Sequence, residues 1–271
     1  MSKLQPTITL ITDFGLQDGY VGVMKGIITG INPSANIIDI SNMIENQNIF
    51  QAAYILNSSY KYFPKGTIHI VVVDPGVGSE RKILCLKTDD YLFLAPDNGA
   101  LSFVTTDTKS FSFTSVTNKE FFLTEPSNTF HGRDIFAPVA AYLSKGTNHQ
   151  KLGEKIDKIR KIDLPKPIRS PGGTLTGEVI YVDHFGNLIT NITSKIINRM
   201  QVKSQKLSII AGEKRIDKIS TSYTDVKEKE VLAIIGSTGF LEISVNQGNA
   251  ENILALQKGD KLILGVQDNL L

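Results

Sequence analysis

The sequence predicts an α/β fold: an N-terminal, largely parallel sheet flanked by helices, followed by a C-terminal antiparallel β-barrel. Three observations carry this expectation. Before residue 165, apolar strand-like runs alternate with helical periodicity; a Pro-rich stretch then interrupts the chain; beyond it, short strands follow one another with turn residues between them. A length of 271 residues fits two units, since a domain takes about 150 residues. We expect an N-terminal domain over 1–165, a linker over 166–173 and a barrel domain over 174–271.

The run Thr7 to Thr12 is β-branched and apolar and stops at Asp13-Phe14-Gly15, as a buried strand entering a loop does. Asp18 is placed to cap a helix through Val21, Met24, Ile27 and Ile28, which Asn32-Pro33 ends. Asn36 to Ile40 and Thr67 to Val73 read as further strands. Between them Ile49, Ala52, Ala53 and Leu56 fall on one helical face. A later helix is expected from about Asp134, with Pro138 in its first turn and Gly146 at its end. Leu164 to Gly173 holds three of the chain's 10 prolines and reads as stiff linker. Thr174 to Val182, Lys206 to Ile210, Val231 to Ile235 and Lys261 to Leu264 are the expected barrel strands, because closure protects so many edges.

Composition narrows the function classes. Lys plus Arg number 29 against 27 Asp plus Glu, and a net charge of +2 makes no polyanion surface, so no nucleic-acid partner is expected. The single cysteine, Cys85, rules out an internal disulfide and a Cys-rich zinc site. No apolar run reaches the roughly 18 to 20 residues that span a bilayer, and the first residues lack an apolar leader core. We expect no membrane association and a cytoplasmic location.

Several short segments could carry chemistry. Asp13, past a strand end, either caps its turn or offers two carboxylate oxygens to the two hydroxyls of a ribose. In Asp74-Pro-Gly-Val-Gly-Ser-Glu-Arg81 the turn brings Arg81 back toward Asp74, as a structural ion pair or as a device that orients water. Ala95-Pro-Asp-Asn-Gly99 is a turn signal to which no chemistry is assigned. His131, in Phe130-His-Gly-Arg-Asp134, precedes a helix whose positive end favours a neutral ring; it is a general base or an ordinary surface histidine. Asp183 and Asn187 suit an amino acid's ammonium and carboxylate, or a hairpin turn. In Gly236 to Ala250, Phe240 could stack on a purine while backbone groups near Val245 and Gln247 read its edge.

Together, TDFGLQDGYVGVMKG, VVVDPGVGSERK, APDNGAL, FHGRDIFAPVAA, DHFGNLITNI and GSTGFLEISVNQGNA resemble the S-adenosylmethionine (SAM) hydrolase family, the SAM hydroxide adenosyltransferases, relatives of SAM-dependent fluorinases and chlorinases. The resemblance implies conversion of SAM and water to adenosine and methionine by displacement at ribose C5′, with neither metal nor redox cofactor. It implies a homotrimer with active sites at subunit interfaces. It assigns Asp74, Arg81 and His131 to orienting hydroxide, Asp13 to the ribose, Asp183 and Asn187 to the methionine, and Ser237, Glu242 and Val245 to barrel-side contacts. On this basis Asp74 and His131 share the base role while Arg81 stabilises the developing hydroxide. The competing readings are a SAM halogenase, a non-catalytic SAM or adenosine sensor, and a nucleoside hydrolase. The preferred sulfonium epimer is not legible in the residues.

Overall fold

Strand and helix alternate because the sequence alternates between two periods, and the structure, a computed structural model describing residues 5–200 and 207–266, shows where each run lands. The chain forms two compact units, Met1–Asp163 and Leu164–Leu271.

In the first unit, β1 (Thr7–Thr12), β2 (Asn36–Ser41), β3 (Ile68–Val72), β4 (Ile83–Thr88), β5 (Leu92–Pro96), β6 (Phe111–Ser115) and β7 (Lys155–Ile156) make one sheet in the order β2-β1-β3-β5-β4-β6-β7. The pairs β1–β2, β1–β3 and β3–β5 are parallel. The pairs β4–β5, β4–β6 and β6–β7 are antiparallel. The sheet is thus largely parallel only in its N-terminal half. Helices α1 (Tyr20–Ile31) and α4 (Ala137–Ser144) cover one face, where Val21, Met24, Ile28, Val139 and Leu143 pack with Ile8, Leu10 and Ile70. Helices α2 (Ile49–Ser59) and α3 (Ser102–Asp107) cover the other, with Ala52, Leu56 and Val104 against Ile11, Val71 and Phe93. Burial on both faces explains why these strands read as continuous apolar runs.

Two helix starts differ from expectation. Asp18 does not cap α1: Gly19 holds the cap position and no side chain bonds there. The helix expected from Asp134 is instead a π turn, Gly132–Phe136, that runs into α4, with the Ala137 N–H reaching back to the Gly132 carbonyl. Pro138, lacking an N–H, falls in the first turn of α4 as expected. Asn48 caps α2 by accepting from the Gln51 N–H.

The second unit is a nearly closed, mainly antiparallel sheet. Its strands are β8 (Ile168–Arg169), β9 (Leu175–Val182), β10 (Leu188–Thr193), β11 (Leu207–Ala211), β12 (Lys214–Ile216), β13 (Ile219–Ser220), β14 (Val231–Ile235), β15 (Phe240–Val245) and β16 (Lys261–Val266). They run in the order β12-β11-β16-β9-β10-β15-β14-β13, with β8 paired to β9. The Pro-rich stretch therefore contributes a strand to this sheet. Lys206, expected to open a strand, lies outside the described residues. The short helices α5 (Ser194–Met200) and α6 (Ala250–Leu254) complete the unit around Leu188, Ile192, Ile209, Leu241, Ile243 and Leu264.

One core residue has a pH consequence. His69 on β3 is fully buried; its Nδ1 lies 2.7 Å from Thr9 Oγ1, its Nε2 has no partner, and its ring stacks on Phe93. Burial lowers its pKa from the ordinary 6.5 to about 3. The folded state therefore favours the neutral ring. The stabilisation is complete above pH 6.5 and is lost as pH falls toward 3, at up to about 1.4 kcal/mol per pH unit. In urea melts at stepped pH, His69→Phe should flatten this dependence by about one proton's worth between pH 6.5 and 3.5, whatever its stability at neutral pH. An unchanged slope would assign the acid sensitivity elsewhere.

Candidate active site

The chain order places two carboxylates side by side. From β1 the chain crosses to β2 on one side and then to β3 on the other, so the strand order reverses between β1 and β3. Such a reversal opens a crevice at the C-terminal strand ends. Thr12 of β1 pairs in register with Val72 of β3, and Asp13 and Asp74 emerge just beyond them. Both line one cavity of about 280 Å³ together with Gln47, Val77, Thr129, Phe130 and His131. Asp13 Oδ2 accepts the Gln47 N–H at 2.9 Å.

Arg81 joins this group through its own loop. Its Nε donates to Asp74 Oδ2 at 2.8 Å and Oδ1 at 3.0 Å, and its Nη2 to Oδ2 at 2.5 Å. The same Nη2 lies 2.7 Å from His131 Nδ1. The Arg81 and Asp74 side chains are only 6% and 5% exposed, so each charge depends on the other. Burial, and then the positive charge of Arg81, hold His131 below the usual histidine range, against the opposing pull of Asp74 and Asp134. The ring is therefore neutral at pH 7. Asp74, Arg81 and His131, selected from three separate segments of sequence, form one contiguous cluster beside Asp13.

Neighbouring loops hold the cluster in place. Asn98, read from sequence only as a turn residue, donates its side-chain amide to the Val73 carbonyl at 2.8 Å and so fixes the backbone immediately before Asp74. Asp97 accepts the Arg160 N–H at 2.7 Å. Gly78 adopts φ +77° with Asn128 against it, so the Asp74–Arg81 turn has room only for glycine there. Sequence reasoning also passed over Gln47, Thr129 and Ser127; all are polar and the last two lie beside a quoted motif, but nothing in the spacing marks them.

The second unit holds the other expected residues. Asp183 Oδ1 accepts the Phe185 and Asn187 N–H groups and Oδ2 accepts the Asn187 side-chain amide, all at 2.9 Å. This is the hairpin-turn arrangement, and in it Asp183 and Asn187 are directly paired. Glu242 on β15 is buried and close enough to Asp183 to be influenced by it; burial first, then Asp183, raises its pKa. Tyr223, unremarked in sequence, donates its hydroxyl to Glu242 Oε2 at 3.4 Å. Ser237 is exposed in the β14–β15 turn, whereas the Val245 side chain packs in the barrel core and its carbonyl accepts the Gly248 N–H. Among the described residues no group of three or more His, Cys, Asp and Glu is arranged to hold a metal ion. No helix among them is long and apolar enough to cross a membrane.

An α/β unit with two strand-end carboxylates at its switch point, one clamped to an arginine that also meets a neutral histidine, defines a small-molecule enzyme site. The chain belongs to the SAM hydroxide adenosyltransferase family: the family's N-terminal domain model matches residues 8–153 and its C-terminal domain model residues 177–263. It is similar to the (R)-S-adenosyl-L-methionine hydrolase of Methanocaldococcus jannaschii, 38% identical over 266 residues that cover 94% of each chain. It is 32% identical to the enzyme of that name from Salinispora tropica, over 95% of this chain and 97% of the other. The fold matches the crystal structure of an uncharacterized conserved protein from Thermotoga maritima with a TM-score of 0.88 and 38% identity, covering 95% and 99% of the two chains.

The loop geometry sets an expected outcome. Gly78→Ala places a methyl group against the Asn128 backbone at a φ that L-residues disfavour, and should lower the unfolding free energy by about 1–3 kcal/mol. Urea denaturation reads this directly, and an unshifted midpoint would show that the turn relaxes freely.

Proposed function

We propose that the protein hydrolyses SAM to adenosine and methionine by attack of water at ribose C5′. The observation that carries this reading is the Asp74–Arg81–His131 cluster, whose Asp74 and His131 line a cavity together with Asp13. The relatives that match nearly end to end are named for the same hydrolysis.

The substrate sets the demands on the site. SAM is a sulfonium, so when the C5′–S bond breaks the electron pair stays on sulfur and methionine leaves as a neutral thioether, which needs no general acid. Water is the weak partner. It must be held in line behind C5′ and relieved of a proton as the new C–O bond forms. Asp74 has acceptor capacity beyond the Arg81 contacts and takes that proton, while the fixed guanidinium stabilises negative charge developing on the oxygen. Asp13 binds the ribose hydroxyls. Asp183 and Asn187 bind the methionine ammonium and carboxylate, with Ser237, Glu242 and the Val245 backbone as barrel-side contacts. No metal or redox cofactor is required by this scheme.

The proposal extends to a homotrimer with active sites at subunit interfaces, a cytoplasmic location and preference for the (R)-sulfonium epimer. The epimer follows the names of the relatives. A cavity of about 280 Å³ is small against the roughly 300–1,000 Å³ of typical ligand sites, which supports recruitment of further contacts on assembly. Exposed Leu16, Tyr20 and Met43 supply apolar surface for it.

Incubation with SAM in oxygen-18 water should give adenosine labelled at the 5′-hydroxyl, with the (R)-epimer consumed first in chiral chromatography. Arg81→Ala and His131→Ala should each lower kcat by about 10²-fold or more while adenosine binding persists. Free adenine, a 5′-halo product when chloride is supplied, or wild-type turnover in the variants would overturn the assignment.

A further inference from the structure

The tautomer of His131 is fixed by its surroundings, and this changes what the ring can do. Arg81 can only donate hydrogen bonds, so the 2.7 Å contact of its Nη2 with Nδ1 requires an unprotonated Nδ1. In a neutral imidazole the proton then sits on Nε2. The one lone pair of the neutral ring is thus committed to Arg81. A general base needs a lone pair facing the water, and His131 has none free.

The loop that leads into His131 is held by a buried carboxylate. Asp134, only 2% exposed, lies on the π turn and accepts both the Ser127 N–H and the Ser127 hydroxyl through Oδ2, each at 2.8 Å. The same hydroxyl oxygen accepts the Phe130 N–H at 3.1 Å, closing the turn that leads into His131. The remaining side of Asp134 receives Arg133, with Nε to Oδ1 at 2.6 Å and Nη2 to Oδ2 at 3.1 Å. A buried charge is tolerated only when its oxygens are filled, and here the filling groups are those that shape the loop beneath His131.

We propose that Ser127 and Asp134 are positioning residues: they hold His131 as a hydrogen-bond acceptor for Arg81, so that the guanidinium is gripped by His131 on one side and Asp74 on the other. Asp74 alone is then left to take the proton of water. The kinetic side of this inference rests on the hydrolase reading above; the tautomer does not.

Nitrogen-15 histidine spectra of the full-length protein test the tautomer without substrate, with His131→Asn identifying the signal. The wild type should show an Nε2-protonated ring whose Nδ1 is an acceptor. Ser127→Ala keeps the Arg133–Asp134 pair and should shift that signal toward tautomer averaging. It should lower kcat for SAM by about tenfold to a hundredfold with KM moved less than threefold, and Ser127→Thr should restore both. Asp134→Asn should act in the same direction, and its fold is checked by its melting transition. A proton on Nδ1 in the wild type, or Ser127→Ala with unchanged spectrum and kcat, would overturn the inference. A wild type that leaves SAM untouched would sink the hydrolase reading, and the spectra would still decide the positioning of His131.

Discussion

A guanidinium buried between a carboxylate and a neutral imidazole is the constraint from which the rest of the site follows. Arg81 cannot lose its proton, so sequestering it from water is costly unless its donors are filled. Asp74 fills three contacts and His131 a fourth. Because removal of any one group would strand a charge or a donor, the three loops that carry them must arrive together. The glycine turn at Gly78, the Asn98 bond to Val73 and the Ser127–Asp134 staple serve that requirement from three directions.

The sheet supplies the second ingredient. Parallel neighbours deliver their strand ends to the same edge, and the reversal between β1 and β3 separates the helices there, so Asp13 and Asp74 flank an open crevice. Had β1 and β3 been antiparallel, the two carboxylates would lie at opposite edges. The antiparallel half of the sheet has no such duty; it buries Leu84, Leu86 and Phe93 and extends the floor on which the crevice stands.

The sequence was most legible where one local rule sufficed. β1 spans the expected Thr7–Thr12, and Val231–Ile235 likewise matches, because continuous β-branched runs have few other uses. The antiparallel strands β4, β5 and β6 were not distinguished, since short apolar runs carry no mark of direction. Helix starts were misplaced where capping did not follow residue type, as at Asp18, or where the helix opens with a π turn. Within the site, Asp74 and Arg81 are linked by a turn whose residues announce themselves, and the expected approach is seen as a buried bidentate pair. The partner of His131 was not legible: residues 81 and 131 are far apart in sequence and meet only through tertiary packing.

The π turn Gly132–Phe136 carries a consequence for how this chain can vary. A π turn encloses one residue more than an α turn, so the segment is in effect a single-residue insertion retained within a helix. Removing that residue would regularise the helix and swing everything before it by about 100° around the axis, carrying His131 away from Arg81. Conformational regularity and placement of the imidazole are therefore opposed at this point of the chain. A chain shortened by one residue at this turn would keep a regular helix and lose the meeting of imidazole and guanidinium.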